Sequence, residues 1–513
     1  MSEQRQIMKN SQIMMAVTSV SRVFGLVRDQ VIAFLLGTSI WADVWTISSL
    51  LPNMFRRLIA EGAMSSAFVP IFSELTEKGR EEESRHFIRA VFSLIFLAVT
   101  VLVSVIVLLL PVALPALLSV TNIGTSSGAS EVQELAILPT RLMFPYLIFI
   151  SLASICQGVL NVNNRFALSA ATPIMLNISL IGCGWFMRDS FGSPIWGLCV
   201  GFLLGGFLQF FMQWLHLQRL GFRVWPTLHM WTAQTAEAVR LWVPSVFSAG
   251  VVQINALVST LVATNILVGA ATAVSYSSRL MELVLGVFAV AVSTSLLPVL
   301  ARQRSRGDLK SMNESLFGAI EVMSFIAIPA AMGLILCGPT LIGVLFERGA
   351  FDSNSTQLTY LALLFHAMAI VPICWYRISI QAFYAFKQVK ATVYIAVVGV
   401  VVNITCCFLL PGYLYFPHAG VAAATCVSSW VLYLLARWQA GRRNGLHWPN
   451  RLNGEIFKIL VATCAFVPLW LPLSPRTLSL TELALKMLLS AVIYAGVARL
   501  LRVAGLFRLM HKK

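Results

Sequence analysis

Runs of about twenty apolar residues recur along the whole chain, and each is long enough to cross a bilayer as a helix. Inside hydrocarbon a helix satisfies its own backbone hydrogen bonds, so such a chain has few other structures open to it. Only 11% of residues are charged and the mean hydropathy is +0.81, outside the soluble range. We predict an all-α polytopic membrane protein with fourteen transmembrane helices, at 12–36, 41–72, 87–112, 134–160, 168–187, 194–217, 238–265, 271–300, 312–346, 354–386, 390–411, 416–438, 454–473 and 479–501.

The basic residues alternate between the two sides of the predicted membrane. With the N-terminus inside, 26 of the 37 Lys and Arg residues fall in inner segments and 5 in outer segments. Cytoplasmic loops collect Lys and Arg. The pattern therefore predicts an even number of spans, with both termini cytoplasmic.

The first twelve spans contain an internal repeat. SAFVPIF at 66–72 and TSLLPVL at 294–300 both end a span before a basic inner loop, and Asn177 has a counterpart at Asn403. Chance similarity between apolar segments is the alternative. Two six-span copies in the same orientation are typical of transporters with a central cavity. We predict an N-lobe at 12–217, a C-lobe at 238–440 and a helix pair outside the repeat at 453–501.

Charged residues are concentrated in the first two spans and at the start of the second copy. Each charge at bilayer depth costs roughly 2.5–3.5 kcal/mol, so this concentration predicts a water-accessible interior site. Arginines outnumber acids, and the planar guanidinium suits phosphate or carboxylate, so we expect an anionic ligand. The arginines within spans are Arg22, Arg28, Arg56, Arg57, Arg279 and Arg377, and the acids are Asp29, Asp43, Glu61 and Glu282.

Spacing suggests which of the first charges neutralise each other. Arg57 and Glu61 stand at i, i+4 on one helix face, where they can pair. Arg28 and Asp29 are adjacent and point about 100° apart, so we do not expect them to pair. Arg28 and Arg56 are then the cations with the least evident partners. The alternative for the whole group is a lattice of salt bridges that holds the first helices to the bundle.

Three further features near these charges leave alternatives open. Arg279 and Glu282, at i, i+3, can neutralise each other. Asp43, at the outer edge of span two, is either a solvated loop acid or a gate latch. Pro52 and Asn53 precede Arg56 within the span, where a proline bends a helix and frees a carbonyl.

Several function classes lack their motifs. The net charge of +16 is spread over short loops and forms no nucleic-acid module. No phosphate-binding GxxxxGK[ST] loop, HExxH motif or acidic diphosphate-chelating repeat occurs, so we expect neither an enzyme nor a metal or other cofactor. His366 is the one histidine clearly within a span, and a lone buried histidine is usually a packing residue.

Four stretches resemble a known family: SRVFGLVRD at 21–29, LLPNMFRRLIAEGAMSSAFVPIFSE at 50–74, RFALSAATPIMLNISLIG at 165–182 and YSSRLMELVLGV at 276–287. They resemble the MurJ (MviN) lipid II flippases of the multidrug/oligosaccharidyl-lipid/polysaccharide (MOP) exporter superfamily. The resemblance implies an MOP-exporter-like fold, with a groove for the polyprenyl tail at 453–501. It also implies transfer of undecaprenyl-diphosphate-linked lipid II, a peptidoglycan precursor, to the outer leaflet of the bacterial inner membrane.

The resemblance also implies roles for individual residues. The arginines taken to bind the diphosphate are Arg28, Arg56 and Arg279; the supporting charges are Arg22, Asp29, Asp43, Asn53, Arg57, Glu61 and Glu282. Many relatives have Asp before the third arginine, where this chain has Ser278. Some relatives carry an acidic sodium ligand after a QIN-like motif, but Gln253-Ile254-Asn255 is followed here by Ala-Leu-Val-Ser, which puts that sodium site in doubt.

We therefore expect a monomeric, alternating-access lipid II flippase in the bilayer, coupled to an ion or to the membrane potential, with cell-wall synthesis proteins as further partners. The nearest alternative is another MOP-type exporter, either an O-unit flippase or a multidrug antiporter. A membrane enzyme acting on polyprenyl diphosphate and a scaffold for wall assembly are more distant alternatives.

Overall fold

The computed structural model describes residues 3–60, 63–120, 129–222, 224–470 and 479–510. Across these residues the regular structure is helical, with three short 3-10 turns and no strand. The helices are α1 Glu3–Leu36, α2 Ile40–Ile59, α3 Ala63–Glu77, α4 Glu81–Val120, α5 Ala129–Met143, α6 Tyr146–Val162, α7 Phe166–Phe186, α8 Ile195–Arg219, α9 Ala233–Ile266, α10 Ala270–Ser305, α11 Leu309–Phe346, α12 Ser353–Ala385, α13 Val389–Leu409, α14 Pro417–Asn444, α15 Asn450–Cys464, α16 Leu480–Leu500 and α17 Ala504–Met510.

Each predicted span begins on a helix or one residue before one, but span 454–473 continues past α15, which ends at Cys464, and residues 61–62 and 471–473 of the predicted spans lie outside the described residues. Span 41–72 covers α2 and α3, and span 134–160 covers α5 and α6, which are separated at Phe144-Pro145 because proline cannot donate to the preceding turn. Ten helical stretches of the described chain are long and apolar enough to cross a membrane. The predicted all-α multi-span class is confirmed, and the count of fourteen spans stays a prediction.

The chain forms two compact units. Unit 1 is Met1–Val268 with Arg348–Phe351 and contains α1–α9; unit 2 is Gly269–Glu347 with Asp352–Lys513 and contains α10–α17.

In unit 1, α8 packs directly on the backbone of α7. A Cβ on Gly201 would lie 2.7 Å from the Ser179 carbonyl oxygen, and one on Gly205 would lie 2.9 Å from the Leu176 Cα. Small residues at such positions let membrane helices approach closely. With one side of α7 fixed on α8, another side packs against α1.

Helix α9 packs against α2, α3, α4 and α5 of unit 1. The Trp242 indole donates to the Ile59 carbonyl at 3.3 Å, and the Asn265 amide donates to the Leu118 carbonyl at 2.8 Å. Unit 1 therefore ends one helix later than the predicted N-lobe at 12–217. The functional lobes themselves stay a prediction.

The loop between α11 and α12 contributes four residues to unit 1, where Phe351 is buried. The Ala350 amide donates to the Phe34 carbonyl at 2.9 Å, near the end of α1. Gly37 and Gly349 both have positive φ, and a Cβ on Gly37 would lie 2.1 Å from the Ala350 carbonyl oxygen. Only glycines allow the two backbones to approach this closely.

In unit 2, α12 packs against α10, α11 and α14, and the C-terminal helices pack against α11. Tyr494 of α16 donates its hydroxyl to the Phe325 carbonyl of α11 at 2.7 Å. Ile459 of α15 and Val503, just before α17, are fully buried in the same apolar cluster. The predicted helix pair at 453–501 is thus packed on α11.

Candidate functional site

Arg28 lies on α1, and its guanidinium is oriented by two neighbours. Nη1 donates to the Asn177 Oδ1 at 3.0 Å, while Nε and Nη2 donate to one carboxylate oxygen of Asp29 at 3.0 and 2.8 Å. The side chains of Arg28 and Asp29 are 24% and 13% exposed. The guanidinium is therefore fixed in place while part of it stays accessible.

The prediction that Arg28 and Asp29 do not pair is wrong. The argument used only the directions in which adjacent Cα–Cβ bonds leave a helix. An arginine side chain is long enough to fold back, so its Nε and Nη2 reach the carboxylate despite the 100° offset. The salt bridge uses one edge of the guanidinium and leaves the other terminal nitrogen for Asn177.

Asn177 is the second partner of Arg28, and sequence reasoning missed its role. It lies on α7 and is 4% exposed. Its Nδ2 donates to the Ser21 carbonyl of α1 at 3.4 Å and lies 3.9 Å from the position of a Cβ on Gly25. Ser21, Gly25 and Arg28 follow the i, i+4, i+7 spacing of one helix face. The available signal was a buried amide within an apolar run.

Arg56 and Asn53 lie one turn apart on α2, just after Pro52. The Arg56 Nε donates to the Asn53 Oδ1 at 3.2 Å, and the Asn53 Nδ2 donates to the Ser49 carbonyl at 2.9 Å. Arg56 is partly exposed. An uncharged amide therefore contacts this arginine as well.

The supporting charges of the first two spans have different environments. Asp43 is fully buried in the first turn of α2, which contradicts the alternative of a solvated loop acid. Arg22 and Arg57 are exposed. Glu61 lies outside the described residues, so its predicted pairing with Arg57 stays a prediction.

In unit 2, Arg279 lies on α10 and is partly exposed. Its guanidinium carbon is 5.9 Å from the ring centre of Tyr276, within the range of a cation–π contact. Glu282, three residues later, is exposed. The buried Ser277 hydroxyl lies 2.9 Å from the His366 Nδ1 of α12, so His366 is a buried, hydrogen-bonded packing residue.

The described residues contain no group of three or more His, Cys, Asp or Glu side chains that could hold a metal ion. Gln253 and Asn255 of the QIN-like motif lie on α9 and are partly buried. The predictions of no metal and no cofactor stay predictions.

The chemistry available at Arg28 is anion binding. A guanidinium has five N–H donors, and three of them bond to Asn177 and Asp29. The two remaining donors, one on each terminal nitrogen, can bind two oxygens of a phosphate group. Charge-assisted bonds of this kind are strong and directional.

Comparison with known proteins gives a consistent family. The family model of the lipid II flippase MurJ matches residues 32–490. A probable lipid II flippase MurJ from Vibrio cholerae serotype O1 is 31% identical over 432 residues, which cover 83% of this chain and 81% of that protein.

Solved structures are similar over most of the chain. A lipid II flippase MurJ in an inward closed conformation matches with a TM-score of 0.79 and 26% identity, covering 95% of this chain and 98% of that one. An inward-facing multidrug resistance MATE family transporter of the MOP superfamily matches with a TM-score of 0.67 and 14% identity, covering 85% and 98%. The second likeness concerns the fold alone.

Proposed function

This chain belongs to the lipid II flippase MurJ family, and from that premise we propose that it moves lipid II from the inner to the outer leaflet of a bacterial plasma membrane. It is a multi-span membrane protein with the MOP-exporter fold. The substrate is an undecaprenyl-diphosphate-linked glycopeptide. The protein acts as a transporter and not as an enzyme.

The observation that supports the proposed site is the set of contacts and the exposure of Arg28. Its guanidinium is held on α1 by Asn177 and Asp29, is partly exposed and has two N–H donors to offer a ligand. We propose that Arg28, Arg56 and Arg279 bind the two phosphates of the substrate. Their fork geometry matches phosphate oxygens.

In the proposed cycle the headgroup enters from the cytoplasmic side while the polyprenyl tail stays in lipid. The diphosphate binds the two remaining N–H donors of Arg28 and weakens the contact of its Nε and Nη2 with Asp29, and alternation of the protein then exposes the site to the outside. Re-pairing of Arg28 with Asp29 favours release. The membrane potential supplies about 2.3 kcal/mol per elementary charge per 100 mV, enough to bias the cycle without nucleotide hydrolysis.

We propose further that both termini are cytoplasmic, because inner segments carry most of the Lys and Arg residues. A monomer is sufficient for this mechanism. Cell-wall synthesis proteins are the partners that we expect at the inner loops, since they supply or consume the same lipid.

A multidrug antiporter is the second candidate, and the MATE likeness favours it at the level of fold. Export of cationic drugs would require an excess of carboxylates at the site. The predicted site instead has six arginines against four acids. The charge balance therefore favours an anionic lipid.

Reconstitution tests the proposal directly. Vesicles that contain the purified protein and a labelled polyprenyl-diphosphate lipid on one leaflet are probed with a membrane-impermeant reagent. We expect protein-dependent exposure of the lipid on the other leaflet and no accumulation of a cationic dye. Dye transport without lipid translocation would replace the flippase by the antiporter.

A further inference from the structure

Asn177 of α7 holds the arginine at the centre of the proposed site. We infer that Asn177 is a positioning residue, whose neutral amide orients Arg28 toward the diphosphate without neutralising it. The inference rests on the proposed function, because it assigns Arg28 to the binding of an anionic headgroup.

The contact geometry ties Asn177 to one face of α1. Its Oδ1 accepts from the Arg28 Nη1 at 3.0 Å. Its Nδ2 donates to the carbonyl of Ser21, seven residues before Arg28, at 3.4 Å. Because the amide is bonded at both ends, its oxygen points at the guanidinium. Gly25 lies between the two contacts, and even a Cβ added there would stay 3.9 Å from Nδ2, so residue 25 does not crowd the amide.

Because Asn177 is buried, it matters that its side chain is a neutral amide and not a carboxylate. Asn177 is 4% exposed, so a charge on it would be poorly screened. A carboxylate in its place would give Arg28 a second acidic partner beside Asp29. The phosphate would then compete with two carboxylates, whereas with Asn177 it competes with one.

The internal repeat supplies a matched control. Asn403 occupies the corresponding position on α13 and is 1% exposed. Its Nδ2 donates to the Ser428 hydroxyl at 3.2 Å, and its Oδ1 accepts from the Cys407 thiol at 3.4 Å. These contacts are made to neutral side chains. Asn403→Asp thus makes the same substitution at the corresponding position of the second copy.

The test compares Asn177→Asp with Asn177→Leu, with Asn403→Asp as the control and Arg28→Ala as the reference. The readout is the Kd of an undecaprenyl-diphosphate lipid for purified protein in detergent, with the unfolding temperature measured in parallel. Loss of a charge-assisted bond corresponds to about a tenfold change in Kd. We expect Asn177→Asp to raise Kd about tenfold, Asn177→Leu to raise it about threefold, and Asn403→Asp to leave it unchanged.

The order of the Kd values of the two Asn177 variants distinguishes a positioning role from a packing role. Aspartate is nearly isosteric with asparagine, so a purely structural role predicts that Asn177→Asp binds better than Asn177→Leu. Tighter binding by Asn177→Asp than by Asn177→Leu would overturn the inference. Unchanged Kd in both variants, with binding abolished in Arg28→Ala, would overturn it as well. Neither result would contradict the flippase proposal. Failure of the wild-type protein to translocate the lipid overturns the flippase proposal, and the Kd order still decides the role of Asn177.

Discussion

Arg28 and Asp29 are neighbours in the chain, and two nitrogens of Arg28 donate to the same oxygen of Asp29, at 3.0 and 2.8 Å. A ligand phosphate at Arg28 competes with this carboxylate. The pair therefore affects both the affinity of the site for an anion and the rate at which the anion dissociates.

Replacing Asp29 by asparagine keeps an acceptor and removes the charge. Because partly exposed pairs contribute at most about 1 kcal/mol, we expect the Kd for a diphosphate lipid to fall about threefold. Turnover falls as well, because the carboxylate no longer assists release. Binding and single-turnover translocation measure the two effects separately.

The control for this variant is Asp189→Asn. Arg188 and Asp189 form another salt bridge between adjacent residues, at 3.1 Å, on an exposed turn. We expect that variant to bind and transport like the wild type. Weaker binding by Asp29→Asn would contradict the competition between Asp29 and substrate.

Glu321 of α11 is a buried carboxylate that sequence reasoning left out of the functional charges. Its Oε2 lies 3.0 Å from the Arg508 Nη2 of α17 and 3.8 Å from the Arg451 Nη2 of α15, and its side chain is 2% exposed. Gly318 makes room for Arg508, since a Cβ there would lie 1.7 Å from the Arg508 Nη1. The C-terminal helices are thus bound electrostatically to α11.

Arg508→Ala leaves this carboxylate with its more distant partner. Breaking a buried pair costs about 3–5 kcal/mol, and we expect about 1–2 kcal/mol here because Arg508 is 38% exposed and Arg451 remains. Thermal unfolding in detergent measures the loss. Arg499→Ala, on the exposed last turn of α16, is the control, and adding Glu321→Gln to Arg508→Ala restores part of the stability. An unfolding temperature equal to that of the wild type would contradict the role of this pair.

The contact between the α11–α12 loop and α1 depends on glycine. Gly37→Ala places a Cβ 2.1 Å from the Ala350 carbonyl oxygen, at a φ of +59°. We expect about 2–4 kcal/mol of destabilisation from strain and overlap together. Hydrogen exchange at the Ala350 amide, which donates to the Phe34 carbonyl, reports the loss locally.

Gly79→Ala is the control that distinguishes backbone strain at positive φ from steric overlap with a neighbouring backbone. Gly79 has a similar φ of +68° with nothing within 4 Å of the added Cβ, so it loses only the backbone preference, about 1–2 kcal/mol. Equal destabilisation by the two alanines would show that the loop contact contributes nothing.

The start of α12 gives a prediction for low pH. The backbone amide and the hydroxyl of Ser355 both donate to the Asp352 Oδ1 at 2.8 Å and hold the pKa of that carboxyl below its usual value. A lowered pKa means that the cap contributes stability above the unfolded pKa of about 3.9, and that the contribution is lost as pH falls through the folded pKa. The protection of the Ser355 amide against hydrogen exchange, taken relative to its intrinsic exchange rate at each pH, therefore falls below about pH 4.

Asp352→Asn provides the comparison, since asparagine caps a helix without titrating in this range. The Ser355 amide of this variant keeps the same protection, relative to its intrinsic exchange rate, as pH falls. If wild type and variant follow the same pH profile, the carboxylate of Asp352 is not the cause.

The fold could be predicted from sequence further than the site could. Apolar periodicity placed α7 at 168–187 against the observed Phe166–Phe186, because the edges of a span follow directly from hydropathy. The break between α5 and α6 at Pro145 was missed, since many membrane helices keep a proline without interruption; α11 continues through Pro329.

At the site, residue type and spacing singled out Arg28 as a candidate but did not predict its partners. The Arg28–Asp29 pair depends on the length of the arginine side chain, and the contact with Asn177 depends on the packing of α7 against α1. The spacing of residues along one helix predicts neither of them. Glu321 was missed for the same reason, because its partners come from helices more than a hundred residues later. The roles of Arg28, Arg56 and Arg279 stay predictions.

The most direct test of the account is the affinity for a polyprenyl-diphosphate lipid and for its monophosphate counterpart in Arg28→Ala, Arg56→Ala and Arg279→Ala, with Arg188→Ala as the control. The account predicts that wild type and control prefer the diphosphate. It also predicts that each of the three variants binds the diphosphate about tenfold more weakly or worse, with a smaller loss for the monophosphate. If all three variants bind and translocate the diphosphate lipid like the wild type, these arginines do not hold the substrate.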